Sequence, residues 1–343
     1  MESEVTEDLF KRLLIIRSKG IGAVRYHELV RDCGGVEAAV DSLSVSGDLM
    51  DAVRREMDLA DSLCIKYITD DSADFPAIYK GVRNHEPILS ARGDVSALRK
   101  KTIGMVGTRH ATAHGMAFMS NLAKEFARHG FAVVSGMAMG TDGAAHNGAL
   151  SDSGDAKTVA VLAGGADYVW PKENEKLYWE IIERGCIVSA MPTGYVPIAS
   201  NFVMRNRIVA GLSEQLIIGE ADEKSGAVLT ADFMLELGRP LWAVPSHPSD
   251  GRGAGPNRFI KEGRAKLCSG ASDFFETREK NKKNSETETA DAWLMDLIGS
   301  VPVSESVLTA LAKKNISEIM SALVVLELKG LIEKVDGGYI LSR

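Results

Sequence analysis

Cysteine is scarce in this chain of 343 residues: Cys33, Cys64, Cys186 and Cys268 are the four. They stand far apart and form no CxxC pair, so neither a disulfide framework nor a cysteine zinc site is expected, and reduced thiols of the cytoplasm are. Long hydrophobic runs are missing too. None approaches the ~18 apolar residues that span a bilayer. The start, Met1-Glu2-Ser3-Glu4, is acidic and without an apolar core, so no secretory signal is expected. Positive charge is also short, with 40 Lys+Arg against 47 Asp+Glu and a formal net charge of −7, which at first argues against a nucleic-acid partner. Three catalytic and nucleotide signatures are absent. No Gly-x-Gly-x-x-Gly follows the first strand and no acid closes the second, so the dinucleotide fingerprint does not fit. There is no GxxxxGK[ST] loop, and no serine stands in a GxSxG elbow.

What is present is an ordinary globular composition, 45% hydrophobic and 25% charged, on a chain long enough for two or three domains. The acidity is unevenly spread. Residues 1–72 hold 9 basic against 15 acidic residues and 290–343 hold 5 against 7, whereas 73–275 hold 22 against 21. Within that middle, Arg239, Arg252, Arg258, Lys261, Arg264 and Lys266 outnumber Asp250 and Glu262. Local charge governs phosphate binding more than the total does, so nucleic acid, if bound, is expected there.

Periodicity divides the chain into three. Residues 1–70 read as a helical module of the helical-hairpin or SAM-like kind, with Leu9, Leu13, Leu14, Tyr26, Leu29 and Val30 at helical spacing around Gly20-Ile21-Gly22. Some such hairpins hold DNA backbone through the turn amides, but the acidic surroundings favour docking or packing. Across 71–276, apolar strand-like runs (Thr102–Val106, Phe131–Ser135, Thr158–Leu162, Cys186–Ser189, Gln215–Gly219, Leu241–Val244) alternate with helical stretches such as Met116–His129, Glu175–Arg184 and Thr230–Leu237. Strands without polar alternation, separated by helices, imply a doubly wound, Rossmann-like α/β domain whose ligand sits at the carboxyl ends of the strands. Residues 277–289 carry no large apolar side chain and read as a linker. Residues 290–343 read as a winged helix, with helices at Leu294–Ile298, Glu305–Ala312 and Ser317–Leu328, the last N-capped by Ser317, followed by a hairpin. The third helix exposes Ser317, Glu318, Ser321, Val324 and Val325, not the Arg, Lys, Asn or Gln that read a groove, which favours protein docking.

The most informative stretch is Asn201 to Ser213. It packs Phe202, Arg205, Asn206 and Arg207 ahead of an apolar run. Guanidinium forks suit phosphate and a ring suits a base, so single-stranded nucleic acid or a nucleotide fits. Solvated arginines beside a core Phe are the plainer reading. Three glycine turns add candidate anion cradles: Gly107-Thr108-Arg109, Ser135-Gly136 through Asp142, and Ala163-Gly164-Gly165. Ser135, Asp142 and His146 could be imagined as a hydrolytic set, but no oxyanion partner is evident; Asp142 is expected to cap its helix and His146 to bond within the domain. His110 and His114 lack a third ligand, so no metal is expected.

These motifs, together with Pro192-Thr193-Gly194, Ser225-Gly226 through Thr230-Ala231, Gly238-Arg239, Ala243-Val244-Pro245 and Gly255-Pro256-Asn257 with Ile260 and Gly263, resemble the DNA-processing protein A family (DprA, also called Smf) over nearly the whole chain. The resemblance implies a cytoplasmic, non-enzymatic homodimer without a cofactor. It would bind single-stranded DNA and load the recombinase RecA during natural transformation. Arg109 would hold phosphate, Phe202 would lie near bases, and Arg205 and Arg207 would line or brace the pocket, with Ser135, Gly136, Asn206, Asn257, Lys261 and Arg264 completing the DNA-binding set. The chain departs from the family pattern at Val203 for proline, Ala199 for a basic residue, Ala190 for glutamate and Ser246 for glycine. Loss of the basic residue shifts the expected phosphate contact to Arg205 and to Lys261 or Arg264. The alternative is a nucleotide-binding Rossmann-like enzyme or sensor.

Overall fold

The computed structural model describes residues 2–151, 157–275, 294, 297–299, 302–312, 314–328 and 331–341. The expected linker and residues 295–296 of the first expected winged-helix helix lie outside the described residues. Residues 1–271 and 272–343 form two compact units.

The first unit opens with four helices, α1 (Glu2–Arg17), α2 (Ala23–Cys33), α3 (Val36–Asp41) and α4 (Gly47–Ser62). Leu13 and Leu14 of α1 pack with Val53 and Ile88, while Ile15 packs with Tyr26, Leu29 and Ala39. Adjacent residues thus serve two small cores. The turn between α1 and α2 places Gly20 at φ 80°, a region glycine enters without steric cost.

Nine strands then form one sheet in the order β1-β2-β6-β5-β4-β3-β7-β8-β9. They are β1 (Ile65–Thr69), β2 (Ile88–Gly93), β3 (Thr102–Val106), β4 (Ala132–Ser135), β5 (Lys157–Val161), β6 (Cys186–Ser189), β7 (Gln215–Ile218), β8 (Leu241–Ala243) and β9 (Lys266–Leu267). Seven run parallel, and β1 and β2 join antiparallel at one edge. The strand-like pattern that begins at about Ile65 thus reaches back before the expected boundary at residue 70. The edge strand β1 belongs to the sheet and is only partly buried, at Ile65 and Ile68. The two domains also interlock: Arg17 pairs with buried Glu56 at 2.8 Å, Glu56 accepts from Tyr67, and the Tyr67 hydroxyl meets Thr193 at 3.0 Å.

Helices cover both faces of the sheet. Val159, Val161, Cys186 and Val188 point toward α9 (Ala199–Leu212), α10 (Gly226–Glu236) and α11 (Ala254–Lys261), whereas Ala160 and Ile187 point toward α8 (Glu175–Arg184). The remaining helices of this unit are α5 (Ala77–Lys80), α6 (Ala113–Arg128) and α7 (Thr141–Leu150). After β3 the chain winds outward through β4, β5 and β6, then crosses back to β7 on the other side of β3. That reversal opens a crevice at the carboxyl ends of β3 and β7, where doubly wound sheets place ligands.

The second unit contains α12 (Glu305–Ala312), α13 (Ile316–Leu328) and a hairpin of β10 (Ile332–Val335) and β11 (Gly338–Leu341) around Leu308, Ile319, Leu323 and Tyr339. The cap of α13 is Asn315, not Ser317: its Oδ1 accepts from the Glu318 amide at 2.9 Å and its Nδ2 donates to the Glu318 carboxylate. An asparagine side chain reaches an amide three residues on as well as serine does, so the helix starts earlier.

Candidate nucleic-acid interface

A cavity of about 320 Å³ lies in the crevice, walled by the turns after β3 and β4, by α9 and by the start of α10. Asn201 sets the start of α9, its Oδ1 accepting from the Ile198 amide at 2.8 Å. Phe202, Asn206 and Val209 follow at spacings of four and three, so one stripe of the helix faces the cavity.

Arg109 and Arg205 approach the same Phe202 ring from different environments. Arg109 is exposed on the loop after β3, without a carboxylate partner among the described residues. Its guanidinium lies 5.7 Å from the Phe202 ring and 5.0 Å from the Trp170 ring, and the two rings meet at 4.7 Å. Arg205 is only 5% exposed. Its Nη1 donates to the carbonyls of Gly136 and Val161, at the ends of β4 and β5, and its Nε to Asn206 Oδ1 at 3.1 Å. Burial lowers its pKa, Asp142 raises it and Arg109 lowers it further. Arg205 is thus a strut that braces the cavity floor while still lining it, as the resemblance implies. Its Nη1 is spent on two backbone carbonyls and its Nε on the Asn206 side chain. Gly136 is required by the strut, because a Cβ there would fall 2.5 Å from the Arg205 guanidinium carbon.

The structure gathers Arg109, Gly136, Phe202, Arg205 and Asn206 around the cavity and leaves the other expected residues elsewhere. Ser135 is fully buried and donates to the Met105 carbonyl at 2.6 Å. Arg207 turns to the opposite side of α9 and stacks on Phe233 at 4.5 Å. Asn257 clamps the backbone of Ser246 through both amide atoms. Arg264 is held by Asp232 and Glu262, and Lys261 stands exposed at the end of α11. Trp170 was not anticipated. A lone Trp-Pro between strands gives no periodic signal, and only the fold brings it to Phe202. The start of α10, where Ser225 caps and Gly226 lines the cavity, supplies helix amides on the opposite wall.

The usual anion position of such a fold is closed. Both carboxylate oxygens of Glu220 sit at the N-terminus of α6, one accepting from the Thr112 amide at 2.7 Å and the other from its hydroxyl at 2.5 Å. Ser135, Asp142 and His146 form no catalytic relay. His146 Nδ1 donates to the Thr158 hydroxyl, which itself donates to the Val133 carbonyl. Burial, reinforced by Arg205, holds that imidazole down to about 3, and burial pushes the Asp142 carboxyl up.

Comparison with known proteins agrees with this fold. Residues 66–279 match the family model described as DNA recombination-mediator protein A, 278–338 match the DprA winged helix domain and 6–48 the DprA-like N-terminal HHH domain. The chain is 36% identical over 223 residues to DNA processing protein DprA of Bacillus subtilis, covering 65% of this chain and 74% of that protein. It is 32% identical over 355 residues to the putative DNA processing protein DprA of Mycobacterium tuberculosis, covering 92% and 90%. Among solved structures, DprA of Streptococcus pneumoniae shares the fold with a TM-score of 0.64 at 24% identity, over 80% of this chain and 97% of that one. DNA processing protein A of Helicobacter pylori, described for its unique single-stranded DNA binding mode, gives 0.57 at 28% identity, over 63% and 97%. The chain belongs to the DNA processing protein A (DprA/Smf) family.

Proposed function

We propose that this protein binds single-stranded DNA at the cavity between α9 and α10, without catalysing a reaction on it, and passes the strand to the recombinase RecA during natural transformation. The observation that carries the binding step is the Arg109 guanidinium lying over Trp170 and Phe202 at the cavity mouth, with no carboxylate partner among the described residues. A cation and two rings at one opening answer the phosphate and base of an unpaired strand, whereas a duplex keeps its base faces stacked. The single-stranded DNA binding described for the H. pylori relative supports this. The mediator step, action in the cytoplasm and a homodimeric state rest on family membership, whose model is described as a recombination mediator. No helix among the described residues is long and apolar enough to cross a membrane.

Fluorescence anisotropy of a labelled oligonucleotide and its duplex, with wild type and Arg109→Ala, tests the binding step. Salt-sensitive preference for the single strand, lost in the folded variant, is expected. Unchanged affinity in the variant removes the site. Thermal stabilisation by free nucleotides without oligonucleotide binding would instead favour the nucleotide sensor. Assembly of RecA on a strand already covered by single-strand-binding protein, with and without this protein, tests the mediator step.

A further inference from the structure

A second cluster lies where the helical module meets the sheet edge: His27 on α2, Asp70 just after β1 and His85 just before β2. One donor atom from each of the three lies within 4.8 Å of the others. The histidines are oriented as metal ligands are, each with one ring nitrogen against a backbone carbonyl: His85 Nδ1 on Val82 at 2.9 Å, His27 Nε2 on His85 itself at 2.8 Å. Donation there leaves the other nitrogen of each ring with a free lone pair. His85 Nε2 is buried and faces Asp70 Oδ2 at 3.5 Å, a long ion pair when the ring is protonated and the spacing of two ligands on one ion when it is not. Arg12 holds the other Asp70 oxygen at 3.2 Å, fixing the carboxylate. The hollow alongside is lined by five carboxylates, Asp8, Glu37, Asp41, Asp70 and Asp71, against Arg12 and Arg31, so its field favours a cation.

We propose that His27, Asp70 and His85 bind a divalent ion of the zinc class, with water completing the coordination, and that the ion clips α2 to the β1–β2 edge. Two imidazoles and one carboxylate suit zinc over magnesium or calcium, which take oxygen donors. The clip joins three segments distant in sequence, so its effect is on the stability of the helical module.

The full chain, stripped with chelator, is titrated with Zn²⁺ and separately with Mg²⁺. Near-stoichiometric Zn²⁺ should raise Tm by about 5 °C, as a ligand well above its Kd does, and Mg²⁺ should not. Co²⁺ should give a visible band without the thiolate charge-transfer absorption that Cys33 or Cys64 would produce. His27→Ala and His85→Gln should each abolish both responses while keeping oligonucleotide binding. No response in wild type, a thiolate band, or a response retained in both variants overturns the proposal. If a variant fails to fold, the wild-type cobalt spectrum decides.

Discussion

Removing the Arg205 guanidinium leaves two strand-end carbonyls and the Asp142 carboxyl without it, all in a closed interior. Arg205→Ala should therefore cost about 3–5 kcal/mol in urea unfolding, the range for losing one member of a buried charged network. Any loss of DNA affinity would follow from a collapsed cavity floor. Arg109→Ala should leave stability within about 0.5 kcal/mol. It should weaken oligonucleotide binding by about 1.5–3 kcal/mol and lower the salt slope by about 0.7, one single-strand phosphate contact. His146 supplies a pH dependence. Its imidazole takes a proton near pH 6.5 in the unfolded chain and only near 3 in the fold. Between those values the unfolded state binds more protons, so stability rises with pH across that interval and is lost on acidification, by up to about 1.4 kcal/mol per unit. Denaturation at pH 7 and pH 5, wild type against His146→Gln, should show a shallower slope in the variant.

At the scale of elements, the central parallel strands are legible because a strand covered on both faces must be apolar throughout, as β3 is, with all five residues buried. The edges were not. Ile65–Thr69 buries only Ile65 and Ile68, three apart as on a helix, and β9 is two residues long. The same limit applies to α9. Composition picks out Phe202, Arg205 and Arg207 together, yet residues two apart on a helix point about 200° apart, which sends Arg207 to Phe233. Sequence proximity marks the right helix and does not separate strut, contact and bystander. Trp170 shows the converse, a contact assembled only by tertiary structure. Trp170→Ala should weaken oligonucleotide binding by about 1–3 kcal/mol, the worth of one stacked base, with little change in the salt slope.

Across the whole molecule, the winged-helix unit has its own core and an acidic, apolar outer face on α13, where Glu318 and Val324 are exposed. A fragment of residues 1–275 should keep the full chain's oligonucleotide affinity within about twofold by anisotropy, since none of the cavity walls comes from residues beyond 230 and surface changes far from a site are near neutral. A larger loss would give the second unit a part in holding the strand. Glu220 carries a consequence for phosphate binding. By seating its own carboxylate on α6, the protein forfeits the strongest grip the fold can offer a terminal phosphate. A free nucleotide would find that helix start already occupied, so for a strand bound as proposed the amides left to meet phosphate are those at the start of α10.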